Sequence, residues 1–195
     1  MRIGIFGGSF NPPHNMHLEI GKKLVLRNYL DKVIYLPTGN KYPKSGLLRD
    51  QERYQMVKDM TEEYSYLEVS DYELKKHLVY TYQTLEYFKK IYPKNEIYFI
   101  LGTDLYKQFL TWRNYQRILE NFPILIILRN GDSICEIENL YPDIKKNIII
   151  TDIYSLNVSS TMIREDIKNH NFDKLKEILP EKVLEDIKNN HYYEE

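Results

Sequence analysis

Runs of consecutive apolar residues, too short for a helix and too continuous for a strand with one wet face, recur along this chain. Arg2-Ile3-Gly4-Ile5-Phe6 and Pro123-Ile124-Leu125-Ile126-Ile127-Leu128 are the clearest. A strand that is apolar on both sides must be covered on both faces, which is the condition of parallel strands joined by crossover helices. The pattern predicts strands near residues 2–6, 32–37, 67–70, 96–101, 124–128 and 147–151. Between them it predicts helices from about His14 to Arg27, with Leu18, Gly21, Leu24 and Val25 on one stripe, and near residues 49–60, 82–91 and 105–119, the last broken near Trp112. Three further helices are expected at residues 160–169, 172–178 and 181–189. No repeat, low-complexity tract or linker interrupts the chain. The expected fold is therefore α/β: a doubly wound parallel sheet with helices on both faces and a C-terminal helical segment, in a single domain over residues 1–195.

The first strand runs into Gly7-Gly8-Ser9-Phe10-Asn11-Pro12-Pro13-His14-Asn15-Met16-His17. Paired glycines let backbone approach a ligand closely, and the helix that follows points unpaired N–H groups and its positive dipole end into the turn. His14 and His17 are three residues apart, so both side chains leave one face of the first helical turn and can converge on one anion. Half a metal site is the competing reading, but it needs further ligands. Ordinary capping or surface histidines are another. Far downstream, Val158-Ser159-Ser160-Thr161-Met162-Ile163-Arg164 opens a helix with hydroxyl caps and free amides, and Arg164 offers a fork of donors suited to phosphate oxygens.

Together these two segments resemble the H-x-G-H and Ile-Ser-Ser-Thr-x-x-Arg signatures of the nucleotidylyltransferase superfamily, small Rossmann-like enzymes that move AMP or CMP from a nucleoside triphosphate to an acceptor. The chain departs from the first signature at its glycine, which here is Met16. Methionine is unbranched and adaptable, so the expected consequence is a usable but narrowed or shifted nucleotide site. Between the signatures lie Tyr80-Thr81-Tyr82-Gln83-Thr84-Leu85, Ile100-Leu101-Gly102-Thr103-Asp104 and the lone tryptophan, Trp112. Each residue also has an ordinary structural reading as cap, strand end or core. As a set they are similar to the Tyr-Thr-x-x-Thr-Leu, Ile-Gly-x-Asp and downstream Trp pattern of the nicotinate-nucleotide adenylyltransferases, one branch of that superfamily. The match is looser at Asn40-Lys41-Tyr42-Pro43-Lys44, where the family more often has a Pro-Pro-His-Lys type of sequence, and at Arg129.

The resemblance implies adenylyl transfer from ATP to nicotinate mononucleotide, giving deamido-NAD and pyrophosphate. It implies His14, His17 and Arg164 as catalytic residues, and Gly7, Gly8, Ser9, Phe10, Ser160 and Thr161 as ATP and phosphate contacts. Acceptor contacts would be Lys44, Tyr80, Thr81, Gly102, Asp104, Trp112 and Arg129. No metal-ligating residue is expected, and Mg²⁺ would arrive bound mainly to ATP phosphates. Two other readings stay open: a different phosphate acceptor, and a nucleotide-binding regulator of weak activity.

Charge and composition narrow the partners to small molecules. Lys and Arg total 27 against 28 Asp and Glu, so no general field draws in nucleic acid or a membrane surface. One cysteine, Cys135, excludes an internal disulfide and fits a reducing compartment. The apolar runs are too short to span a bilayer and no signal-peptide pattern precedes the first strand, so a cytoplasmic protein is expected. A homo-oligomer stays open beside the monomer.

Overall fold

The computed structural model describes residues 1–39, 46–156 and 158–194. In chain order the elements are β1 (Arg2–Gly8), α1 (Asn15–Leu26), β2 (Lys32–Pro37), α2 (Asp50–Thr61), β3 (Leu67–Val69), α3 (Thr81–Ile91), β4 (Glu96–Gly102), α4 (Thr103–Tyr106), α5 (Tyr115–Asn121), β5 (Ile124–Arg129), α6 (Ile134–Asn139), β6 (Ile148–Ser155), α7 (Ser160–Lys168), α8 (Phe172–Ile178) and α9 (Glu181–Asn189). Short 3₁₀ turns lie at Phe109–Thr111 and Pro142–Asn147. The strands form a six-stranded parallel sheet in the order β3-β2-β1-β4-β5-β6, a Rossmann-like arrangement in which strand order reverses at β1.

Each expected strand is present. Two strand boundaries moved by more than one residue, each for a local reason. β1 continues through Gly7 and Gly8, so the paired glycines are the end of the strand and not yet the turn. β6 runs on to Ser155 because an irregularity in its register with β5, between Ile126 and Leu128, lets pairing resume at Tyr154 and Ser155. Buried Thr151 bridges that irregularity by donating its hydroxyl to the Ile126 carbonyl at 2.8 Å. The region expected as one interrupted helix is α4, a 3₁₀ turn and α5, with Trp112 extended and Asn114 left-handed (φ 56°) at the break. α6 has no counterpart among the expected helices: six residues carry too little periodicity to be read.

Contacts group the chain into two compact units: Met1–Phe6 with Lys23–Ile34 and Val79–Asn157, and Gly7–Lys22 with Tyr35–Leu78 and Val158–Glu195. In the first, Ile3, Ile5, Val33, Leu85, Phe88, Phe99, Ile100 and the whole run Ile124–Leu128 are buried, as both-face burial of parallel strands requires. In the second, Phe10, Ile20, Tyr35, Met56, Val57, Ile163, Ile167, Val183 and Ile187 form the core. Met16 belongs there too, 8% exposed.

Within the second unit α2 packs against α9. Burial, a hydrogen bond with Asp59 and the charges of Asp59 and Glu185 push the Asp186 carboxyl up to about 6. Asp59 also accepts from Gln55 at 2.8 Å, and Lys182 pairs with Glu62 across the same two helices. The folded protein thus keeps a proton that the unfolded chain releases near 3.8, and stability falls as pH rises between those two values. Asp186→Asn is expected to stabilise the protein by about 1–2 kcal/mol at pH 7, after allowance for solvent screening, with the gain vanishing below about pH 4. Urea unfolding of both proteins across that range measures it; a gain independent of pH would show that the carboxylate pair is not its source.

Candidate active site

A buried arginine side chain grips the turn after β1 from α2. Arg53, on α2, is 0% exposed. Its guanidinium donates from Nη1 to the Ser9 carbonyl (2.7 Å), from Nη2 to the Thr38 carbonyl (2.6 Å) and from Nε to the Leu48 carbonyl (3.0 Å), and pairs with Asp50 at 2.7 Å. Burial holds its pKa below the ordinary arginine value against the opposing pull of Asp50. The Thr38 amide in turn donates to the Gly8 carbonyl at 3.0 Å. Phe10 takes a left-handed backbone (φ 44°) that puts its buried ring edge-on to His17, centroids 4.9 Å apart. A side chain at Gly8 would strike that ring at 3.1 Å, whereas one at Gly7 would meet nothing within 4 Å. A side chain at Gly8 would thus require the Phe10 ring to give by a few tenths of an ångström, and one at Gly7 would not.

His14 is not inside α1, as its spacing to His17 had suggested, but caps it: its carbonyl accepts from the His17 amide at 2.8 Å. It is 4% exposed. Its N–H donates to Nδ1 of His17 at 3.2 Å, and the two rings stack with centroids 3.7 Å apart. With Nδ1 accepting, the neutral His17 ring carries its proton on Nε2, where it serves as a donor. Tyr35 fixes the same turn by donating its hydroxyl to the His17 carbonyl at 2.9 Å.

The downstream motif is bonded to this turn across about 150 residues of sequence. Ser160 donates its hydroxyl to the Pro12 carbonyl at 2.9 Å, and Arg164 Nη1 donates to the Asn11 carbonyl at 2.8 Å. Arg164 Nη2 lies 3.3 Å from the Thr161 hydroxyl. Ser159, rather than Ser160, is the cap of α7, accepting from the Met162 amide. Gly7, Gly8, Ser9, Phe10, His14, His17, Ser160, Thr161 and Arg164 thus lie in one compact unit and around one turn.

A second cluster is built in the other unit. Gly102 ends β4, and a side chain there would meet Asp104 Oδ1 at 2.6 Å. Asp104 and Arg129, two predicted acceptor residues, form an ion pair at 3.0 Å. Sequence reading missed the residue that organises them. Asp132 accepts from the buried Thr103 hydroxyl and from the Arg129 amide (2.7 Å), and faces Lys107 at 3.4 Å. Burial raises its pKa, but these bonds and the lysine outweigh that and hold the carboxyl below the ordinary range. Tyr80 caps α3, its amide donating to Gln83 Oε1 at 3.0 Å, with Thr81 the first helical residue. Arg113 lies over the Tyr80 ring (4.7 Å) and donates to its hydroxyl at 3.0 Å. Arg117 likewise covers Tyr82. Trp112 packs beside Phe99 and Phe109 with its ring partly exposed. Lys44 and Lys41 lie outside the described residues. No cluster of three His, Cys, Asp or Glu that could hold a metal ion occurs among the described residues.

A cytidylyltransferase-like family model matches residues 5–166, from β1 into α7. A protein of Clostridium tetani, named as a probable nicotinate-nucleotide adenylyltransferase, is 40% identical over 97% of both chains. The chain belongs to the nicotinate-nucleotide adenylyltransferase family. A member from Flavobacterium johnsoniae, named likewise, is 38% identical over 99% of both chains. In fold, the chain is similar to the nicotinic acid mononucleotide adenylyltransferase of Plasmodium falciparum solved in complex with NaAD. The TM-score is 0.82 over 98% of this chain and 97% of that one, at 21% identity. The adenylyltransferases of this family are nucleotidyltransferases of NAD biosynthesis.

For this adenylyltransferase the Arg53 fork yields a test of the scaffold. Lysine keeps the charge but cannot reach three carbonyls at once, so Arg53→Lys is expected to cost about 2–4 kcal/mol in urea unfolding, with buried carbonyls left unpaired. A loss under about 0.5 kcal/mol, the size of an ordinary surface change, would mean that the three segments hold their positions without it.

Proposed function

We propose that this chain transfers the adenylyl group of ATP to nicotinate mononucleotide. The observation that carries the reading is the pair of bonds from Ser160 and Arg164 to the Pro12 and Asn11 carbonyls, which gathers two distant phosphate-type motifs around one turn. An oxygen of the mononucleotide phosphate attacks the α-phosphorus of ATP, the bond to the bridging oxygen breaks, and pyrophosphate leaves. The attacking oxygen is already anionic, so no nucleophilic side chain or general base is needed. The work is alignment and stabilisation of charge on the leaving group.

His14 and His17 serve the triphosphate, with Nε2–H of His17 as donor. Ser160, Thr161 and Arg164 serve its outer phosphates, and the backbone from Gly7 to Phe10 lies alongside, where the open space at Gly7 gives a ligand room. This donor set is neutral or cationic, which suits a Mg²⁺ ion carried on the phosphates; bound there, it would neutralise charge on the departing pyrophosphate. In the other cluster, Asp104 would hold a ribose hydroxyl, Trp112 would stack on the pyridine ring, and the N-terminus of α3, which Tyr80 caps and Thr81 opens, would receive the nicotinate carboxylate on its first-turn amides, the Tyr80 amide itself being taken by Gln83. Gly102 and Arg129 shape and neutralise the surroundings of Asp104, and Lys44 is assigned to the acceptor on the family pattern alone. No helix among the described residues is long and apolar enough to cross a membrane, and a single cysteine, Cys135, which can form no internal disulfide, suits a cytoplasmic setting.

Pyrophosphate release with ATP, Mg²⁺ and nicotinate mononucleotide tests the reading directly. His14→Ala and His17→Ala are each expected to lower turnover on the order of 100- to 1000-fold, the loss of one preorganised donor to developing charge, while both proteins stay folded. Near-normal rates in both would remove the phosphate cluster from catalysis.

The acceptor assignment predicts a preference for the acid over the amide form of the mononucleotide by about ten- to a hundredfold. A carboxylate accepts from two amides with charge assistance, whereas a carboxamide turns a donor towards an N–H. Equal kcat/KM for the two forms, or indifference to Trp112→Ala, would point to another acceptor.

A further inference from the structure

The segment after α9 reaches back into the phosphate cluster. Tyr192 closes the end of α9 by donating its amide to the Ile187 carbonyl at 3.0 Å, and Tyr193 then takes a left-handed backbone (φ 67°), as does His191 (φ 54°). A tyrosine rarely adopts that conformation without something that holds it there. Here the Tyr193 hydroxyl donates to Oδ1 of Asn11 at 3.0 Å. Asn11 is 2% exposed, and its side chain is the hub of the turn: Oδ1 also accepts from the Leu48 amide at 3.0 Å, and Nδ2 donates to the Gly46 carbonyl at 2.8 Å. The carbonyl of the same residue is the acceptor for Arg164 Nη1.

We propose that Tyr193 is a positioning residue for the triphosphate: by fixing the Asn11 amide it fixes the Asn11 carbonyl, and through that carbonyl the direction in which Arg164 presents its remaining donors. Arg164 and Tyr193 line one cavity of about 610 Å³, whose walls also carry Arg49 and Lys168 and the carboxylates Glu52 and Glu194, so the arginine is presented at an open space and not into packed core. Burial pushes the phenol's pKa up, against the nearby positive charges of Arg164 and Arg53, and Tyr193 therefore remains an O–H donor throughout the physiological range. Arg53 fixes the same turn at Ser9 and Leu48, and Tyr193 acts on Asn11, whose carbonyl accepts from Arg164.

The proposal rests on the assignment of Arg164 to ATP phosphates, and the two can fail separately. In calorimetric titration with a non-hydrolysable ATP analogue, Tyr193→Phe is expected to bind about 5- to 20-fold more weakly, the effect of one ordinary hydrogen bond, with affinity for nicotinate mononucleotide unchanged. Tyr192→Phe is expected to bind both as the wild type does. Because coupling between two binding events is reciprocal, the analogue should also slow amide hydrogen exchange of residues 190–194 in the wild-type protein, and nicotinate mononucleotide alone should not. That measurement needs no variant to fold. Unchanged analogue affinity in Tyr193→Phe, an equal loss for both ligands, or exchange in residues 190–194 indifferent to the analogue would each overturn the positioning role. If Arg164→Lys binds the analogue as tightly as wild type, the phosphate assignment itself falls, and the role of Tyr193 falls with it.

Discussion

The buried guanidinium of Arg53 is the constraint on which the turn after β1 depends. Three chain segments that share no regular secondary structure with one another, at Ser9, Thr38 and Leu48, each present a carbonyl to it within 3.0 Å. A carbonyl buried without a donor costs about 1–3 kcal/mol, so one side chain with a planar fork of donors settles three such liabilities at once. A charge so buried would itself be costly if unpaired; Asp50, one turn earlier on the same helix, supplies the counter-charge. Only arginine has the number and directions of donors to do this. The shape of the turn is then fixed in part by bonds to its main chain.

The two clusters achieve rigidity by different chemistry. Around the turn, side chains grip main-chain carbonyls: Ser160 on Pro12, Arg164 on Asn11, Tyr35 on His17, Arg53 on its three. Beyond β4 and β5, an anion gathers donors: Asp132 accepts from Thr103 and the Arg129 amide and faces Lys107. The difference follows what each cluster would bind. A triphosphate requires donors, and carbonyl supports add no competing negative charge; a mononucleotide acceptor tolerates carboxylates, one of which, Asp104, would face a ribose.

How much of this was legible in the sequence depends on whether the signal is local. β4 and β5 were readable because Ile97 and Phe99–Leu101, like Ile124–Leu128, are buried on both faces, and that leaves an unbroken apolar run. The end of β6 was not, because a register irregularity at Thr151 breaks the periodicity just where the strand continues. His14 and His17 were placed in one turn by spacing alone, but whether His14 caps the helix or enters it differs by one residue, within the ordinary uncertainty of a helix start. Arg53, Asp132 and Tyr193 left no trace at all. In sequence they are a charged residue on an amphipathic helix, an Asp after a Gly and a tyrosine among eighteen; their roles exist only through carbonyls and amides brought from elsewhere.

Met16, between the two histidines, shows how a large apolar residue is accommodated at the start of α1. Replacing a helical glycine by methionine favours the helix by somewhat under 1 kcal/mol, and the thioether's three rotatable bonds let it follow whatever surface surrounds it. In this chain the side chain is buried in the unit that carries the phosphate cluster, so its apolar atoms are largely removed from water rather than extended into solvent. The two histidines that flank it form an arrangement of their own: the His14 carbonyl starts the helix, its amide bonds His17 Nδ1, and the rings stack. None of those three contacts passes through the side chain at position 16. The motif's geometry is therefore set by the capping turn and by Tyr35 and Phe10 against His17, and the residue between the histidines is free to vary as far as that geometry is concerned.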